Sequence, residues 1–163
     1  MKKLNRKGFT LIELLAIIVI LAIIMVVTIP TVLTSMNKAR SNQLQNAADS
    51  AAEWFTKQYE LASMGTFAGG ADAGFTAFLT ASGLTSYTGL NGTANKKALT
   101  TDVLEAAGIA NAADNIDVAN TASYVYYNTS KNKICIQLTA KDVGSFYVNT
   151  GETGANVATS SGC

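Results

Sequence analysis

Residues 9–29 read FTLIELLAIIVILAIIMVVTI, from Phe9 to Ile29, and this stretch decides the architecture. Its 21 residues, wound as a helix rising about 1.5 Å per residue, cover roughly 31 Å, the thickness of a bilayer core. Lys2, Lys3, Arg6 and Lys7 come just before it. The positive-inside bias therefore keeps residues 1–8 cytoplasmic and places everything after Ile29 outside. A secretory signal would have a shorter apolar region and a small-x-small cleavage site, and Thr28-Ile29-Pro30-Thr31 supplies none. On hydropathy alone the segment is an uncleaved single-span anchor.

Glu13 argues for more than an anchor. A carboxylate set in an apolar helix costs up to about 2.5–3.5 kcal/mol at the bilayer centre, less near an end, and such a cost marks a functional residue. Its surroundings, Arg6-Lys7-Gly8-Phe9-Thr10-Leu11-Ile12-Glu13, resemble the processing and methylation motif of type IV prepilins and of type II secretion pseudopilins. The resemblance runs from Arg6 to about Pro30. It implies a leader of residues 1–8 removed by a prepilin peptidase after Gly8, and N-methylation of the new terminal residue, Phe9. Residues 9–30 would then form a transmembrane and polymerisation helix with Glu13 as its assembly residue and Pro30 as its kink. Physical chemistry agrees on Glu13: cleavage exposes an ammonium on Phe9, and a neighbour's carboxylate lowers the cost of burying it. A first-turn carboxylate also suits the helix dipole.

After Pro30, the residues Leu33, Met36, Leu44, Ala48, Ala51, Phe55, Tyr59 and Ala62 recur at helical spacing with polar residues between them. They predict an amphipathic second half, residues 31–62, whose stripe must be covered. A sheet from the C-terminal part of the chain is the expected cover. A head of residues 63–163 follows. Residues 63–120, rich in Gly, Ala, Thr and Asn, read as a connection with two short helices, one near Phe75 ending at Gly83 and one at Asp102–Glu105 ahead of Gly108. Residues 121–163 read as strands: Ser123–Asn128 and Lys133–Thr139 form an antiparallel hairpin, Ser145–Thr150 a third strand, and Ile116–Ala119 or Asn156–Ala158 an edge. The fold class is α+β, a long N-terminal helix on a small antiparallel sheet, which is also what the resemblance implies.

Cys135 and Cys163 have no CxxC spacing. By resemblance to pilin heads they bound a C-terminal disulfide loop, which an extracytoplasmic compartment permits.

The composition excludes several functions. The chain has no histidine, which removes the commonest general base and metal ligand together. Losing the four basic leader residues takes the formal charge from +1 to −3, against a broad electrostatic grip on nucleic acid. Asp114 with Asp117, and Asp102 with Glu105, read as turn and cap residues, and the Asp114–Asp117 stretch has too few ordered oxygens for calcium. Lys96-Lys97 and Lys131-Asn-Lys133 are small basic clusters, while Asn91-Gly-Thr93 and Asn128-Thr-Ser130 match the glycosylation sequon. No catalytic, metal or cofactor motif is visible. The expected partners are further copies in a homopolymer, the prepilin peptidase, pilus assembly machinery in the membrane, and lipid before assembly. A pseudopilin or minor pilin is the alternative within the family, and an uncleaved membrane-anchored adhesin is the alternative outside it.

Overall fold

The computed structural model describes residues 9–65, 72–119, 122–141, 157–160 and 162–163. One helix, α1, runs Leu11–Ser63. The chain divides into two units: the first ends at Met36, and the second is Asn37–Cys163. In the first unit the large apolar side chains of α1 are all about half or more exposed.

The second unit is the head. Its share of α1 buries Leu44, Ala48, Ala51, Ala52, Phe55, Gln58 and Ala62, a stripe at three- and four-residue steps. Leu33 and Met36, which the periodicity includes in that stripe, stay 56% and 48% exposed. Periodicity identifies an apolar face but does not say where along the helix its cover begins.

After α1 come α2 (Ala73–Ala81), two 3-10 turns (Tyr87–Leu90 and Thr93–Asn95), β1 (Lys97–Ala98), α3 (Thr101–Ala106), α4 (Ala112–Asn115) and β2 (Ile116–Asp117). The strands β3 (Tyr124–Asn128), β4 (Lys133–Ala140) and β5 (Val157–Thr159) complete the order. Local chemistry explains the boundaries. Asp72 caps α2 by accepting from Gly74 N–H at 2.7 Å, and Gly83, at φ 69°, ends it by a turn whose Leu84 N–H reaches Leu79 O at 2.8 Å. Thr100, rather than Asp102, caps α3, and Gly108 at φ 85° closes it. Residues 63–120 thus hold two short strands besides helices, because residues as ordinary as Lys97-Ala98 gain strand geometry only from a neighbour.

These five strands pair antiparallel in the order β1-β3-β4-β2, with β5 also on β4. Gln137 pairs with both Tyr124 and Thr159, and Thr139 with both Asp117 and Val157. Hence β5 covers one edge of β4, while β3 and the short β2 follow one another along the other. Where β2 gives way to β3, the Ser123 hydroxyl fills the gap, donating to Asp117 O at 2.6 Å and accepting from Thr139 N–H at 3.0 Å. The hairpin turn is held by Asn128 Oδ1, which accepts from Ser130 and Lys131 N–H, with Asn132 at φ 52°. Residues Ser145–Thr150, expected as a strand, lie outside the described residues.

Alternation along β4 turns Ile134, Ile136 and Leu138 into one core with the α1 stripe, Val125, Phe75, Phe78, Leu79 and Leu104. Phe55, 0% exposed, meets Trp54, Phe75 and Phe78 edge to face at 5.0–5.9 Å. Truncating so central a ring typically costs about 3–5 kcal/mol. The sheet's outer face carries Cys135, yet Cys135 is 1% exposed, since Cys163 is bonded to it with a Cα separation of 5.7 Å.

The Cys135–Cys163 bridge closes a loop of 28 residues, for which chain entropy gives about 3.5 kcal/mol. Cys163→Ala, or reduction, should lower the midpoint of thermal unfolding by on the order of 10 °C, read from the near-UV signal of the core aromatics. Tyr59 stacks on Tyr127 at 4.4 Å and donates to Asn91 Oδ1 at 2.8 Å. Burial holds its hydroxyl above the usual phenol range. The stability tied to this group is complete below about pH 10, the unfolded value, and is lost as pH rises through the higher folded value. Denaturant melts at pH 9 and pH 11 should differ less in Tyr59→Phe than in the parent.

The N-terminal helix as candidate functional site

The first turn of α1 explains how a carboxylate is accommodated in an apolar helix. Thr10 precedes the helix, and its N–H and its hydroxyl both donate to Glu13 Oε2 at 2.9 Å. Glu13 N–H in turn donates to Thr10 Oγ1 at 3.4 Å. This is a capping box, Thr-x-x-Glu, in which two residues satisfy each other's orphan donors reciprocally. Helix N-termini leave four N–H groups unpaired, an expensive deficit where water is scarce. Glu13 therefore has a local structural task in addition to any intermolecular one, and Thr10 is part of the site. The signal was in the sequence as Thr10-Leu11-Ile12-Glu13, but a reading of Glu13 as an isolated charge passes over it.

Phe9, at 84%, is among the most exposed side chains, and Gly8 lies outside the described residues. From there α1 contains an 18-residue window of mean hydropathy 3.2, with none of it buried within the chain. The helix is long and apolar enough to cross a membrane.

Pro30 lies inside α1, which continues through it. Proline has no N–H, so one i→i−4 bond is missing there. Three threonines surround the gap with hydroxyls turned onto backbone carbonyls: Thr28 to Ile24 O at 3.0 Å, Thr31 to Thr28 O at 2.8 Å and Val27 O at 3.2 Å, and Thr34 to Pro30 O at 2.9 Å. Such bonds hide the polar hydroxyls within the helix's own backbone and favour bending.

Several other residues singled out by sequence lie in the head with structural partners. Asn91 and Asn128, the two sequon asparagines, use their Oδ1 atoms within the fold, as described above. Asp117 Oδ1 accepts from Ala119 N–H at 2.9 Å, and Thr101 Oγ1 donates to Asp102 Oδ1 at 3.4 Å. Lys96 Nζ sits 4.2 Å from the centre of the Tyr124 ring, and Lys131 Nζ donates to Gly162 O at 3.1 Å. Among the described residues no cluster of three or more His, Cys, Asp or Glu is placed to hold a metal ion.

The capping box makes a direct prediction. Thr10→Val keeps the shape of the side chain but loses the hydroxyl, and should cost the first turn about 1 kcal/mol. Amide exchange at residues 11–14 in detergent micelles should accelerate roughly fivefold, while Thr10→Ser stays near the parent rate.

No curated protein and no solved structure gives a significant match to the chain. Residues 3–29 match the prokaryotic N-terminal methylation motif. The match covers Gly8, Phe9, Thr10 and Glu13 and ends one residue before Pro30. The chain thus carries the signature of type IV pilin-like and pseudopilin precursors, at the start of a long helix that packs on a small antiparallel sheet.

Proposed function

We propose that this chain is the structural subunit of a type IV pilus: a precursor cut after Gly8, methylated on Phe9, held in the cytoplasmic membrane by residues 9–30 and then polymerised into a surface filament. The observation that carries this reading is the coincidence of the methylation motif with an apolar surface that is left bare among the described residues. From Phe9 to Met36, nineteen large apolar side chains are between 48% and 86% exposed. Fully burying each contributes about 1.5–3 kcal/mol, so lipid, and after extraction the helices of other copies, supply a cover worth about 15–30 kcal/mol even at half burial. Against that, Glu13 costs a few kcal/mol at most.

In this reading the chain is a substrate of the prepilin peptidase and a client of the pilus assembly machinery, with no catalytic role of its own. The leader's four positive charges hold the cleavage site on the cytoplasmic side. Cleavage leaves an ammonium on Phe9, and Glu13 of an adjacent copy pairs with it, which sets axial register more than it adds affinity. The Cys135–Cys163 bridge braces the head outside the membrane, where oxidising conditions keep it closed.

Two substitutions test this. Gly8→Val should abolish cleavage, leaving chains that begin at residues 1–8 by mass spectrometry and no surface filaments. Glu13→Ala removes the membrane cost of the charge, so processed subunit should accumulate at the parent level. An unpaired buried amine then costs about 3–5 kcal/mol, and filaments sheared from the cells should fall by at least tenfold. Glu13→Ala filaments at parental abundance, with no parental chain present, would reject the pairing. Surface material containing only uncleaved chains would favour a membrane-anchored adhesin instead.

A further inference from the structure

The head, Asn37–Cys163, has a knob and a hole. Among its described residues Met64, 69% exposed, is the large apolar side chain left in solvent; it follows directly on α1, with its N–H still bonded to Glu60 O at 3.1 Å. Twenty residues earlier on the same helix lies a cavity of about 220 Å³ with Leu44, Ile109, Ile116 and Ala140 in its lining and Arg40 and Asn115 beside them. Leu44 and Ile116 are 8% and 2% exposed, so the hole has an apolar floor. Methionine, unbranched and polarizable, suits an irregular apolar gap of this kind.

The charges keep the same spacing. Arg40 stands four residues before Leu44, and Glu60 four residues before Met64; both charged side chains are exposed. A parallel copy displaced so that Met64 comes level with Leu44 also brings Glu60 level with Arg40. Twenty helical residues correspond to a displacement of about 30 Å and a rotation of about 200°, so knob and hole face nearly opposite ways from α1. An unlike pair of patches, separated along the axis, forms a heterologous contact that repeats instead of closing on itself.

We propose that Met64 of one copy seats in the Leu44–Ile109–Ile116 cavity of a second copy, with Glu60 of the first facing Arg40 of the second. This rests on the polymer reading above, which holds the copies parallel through residues 9–30. Parallel copies related by a two-fold along the helix would bring Met64 level with Met64, out of reach of the cavity. The contact is therefore directional and joins copies about 30 Å apart along the axis. The exposed ion pair adds little affinity but disfavours other registers.

Cysteine cross-linking in filaments of the full chain tests this, because Cys135 and Cys163 are bonded to each other and leave no free thiol. Ala110, exposed and also in the cavity lining, supplies the second position. Filaments carrying Met64→Cys and Ala110→Cys together, mildly oxidised, should give a ladder of linked multimers at least tenfold stronger than either single variant. Arg40→Glu should reduce filament yield severalfold, and Glu60→Arg added to it should restore most of the loss. Dimers from Met64→Cys alone would overturn the proposal in favour of a symmetric contact. A ladder from Ala110→Cys with Met36→Cys, and none with Met64→Cys, would give the cavity a different occupant and overturn it too. Parental filaments with no ladder from any pair reject this contact while leaving polymerisation intact. A parental chain that forms no filaments rejects the polymer reading itself.

Discussion

The removal of α1's apolar surface from water is the constraint on which the rest of this molecule depends. A single helix, Leu11–Ser63, presents two apolar surfaces, and among the described residues only one of them is covered. Over Leu44–Ala62 the cover is the sheet and the short helices, and a core closes around Phe55, Ile136 and Leu138 at 0–1% exposure. Over Phe9–Met36 the large apolar side chains stay 48–86% exposed among the described residues. The exposed apolar area outweighs the cost of one carboxylate severalfold, so Glu13 does not by itself keep a helix of this kind out of an apolar environment.

Within that constraint, polar groups are tolerated only where they are bonded. Thr10 and Glu13 close the helix start on each other, and Thr28, Thr31 and Thr34 turn their hydroxyls onto backbone carbonyls around Pro30. In the head Gln58, 5% exposed, accepts from Asp72 N–H at 2.7 Å, tying the buried stripe of α1 to the start of α2. Ser123, 0% exposed, repairs the break between two strands. These bonds follow one rule: a group withdrawn from water must find a partner or destabilise the fold by about 1–3 kcal/mol.

The head's architecture joins elements distant in sequence by similar means. Tyr59 on α1 stacks on Tyr127 of β3 and bonds Asn91 between them in the chain, so one aromatic group fixes helix, loop and sheet together. The cysteine bridge brings Cys163 onto the outer face of β4, opposite the core face that meets α1. Both faces of β4 are thus occupied, which is why its run Ile134-Cys135-Ile136 is buried without alternation.

The sequence by itself determined whatever depends on near neighbours. Helical periodicity, the length of the apolar block, the charges ahead of it, the glycine stops at Gly83 and Gly108, and the hairpin across Thr129–Asn132 are all local patterns. The methylation motif is local as well, and so is the Thr10–Glu13 box, legible as a spacing once a helix is assigned to start at Leu11. Tertiary structure alone decided where the cover of α1 begins, leaving Leu33 and Met36 bare although they share the stripe's periodicity. It also decided that Lys97-Ala98 and Ile116-Asp117 become strands, because two residues have no pattern of their own and take extended form from the strand beside them. The cavity beside Leu44 gathers residues from positions 40 to 140, so no local spacing encodes it. A local rule sees a few residues along the chain, whereas burial is settled by contacts whose sequence separation is set by the fold.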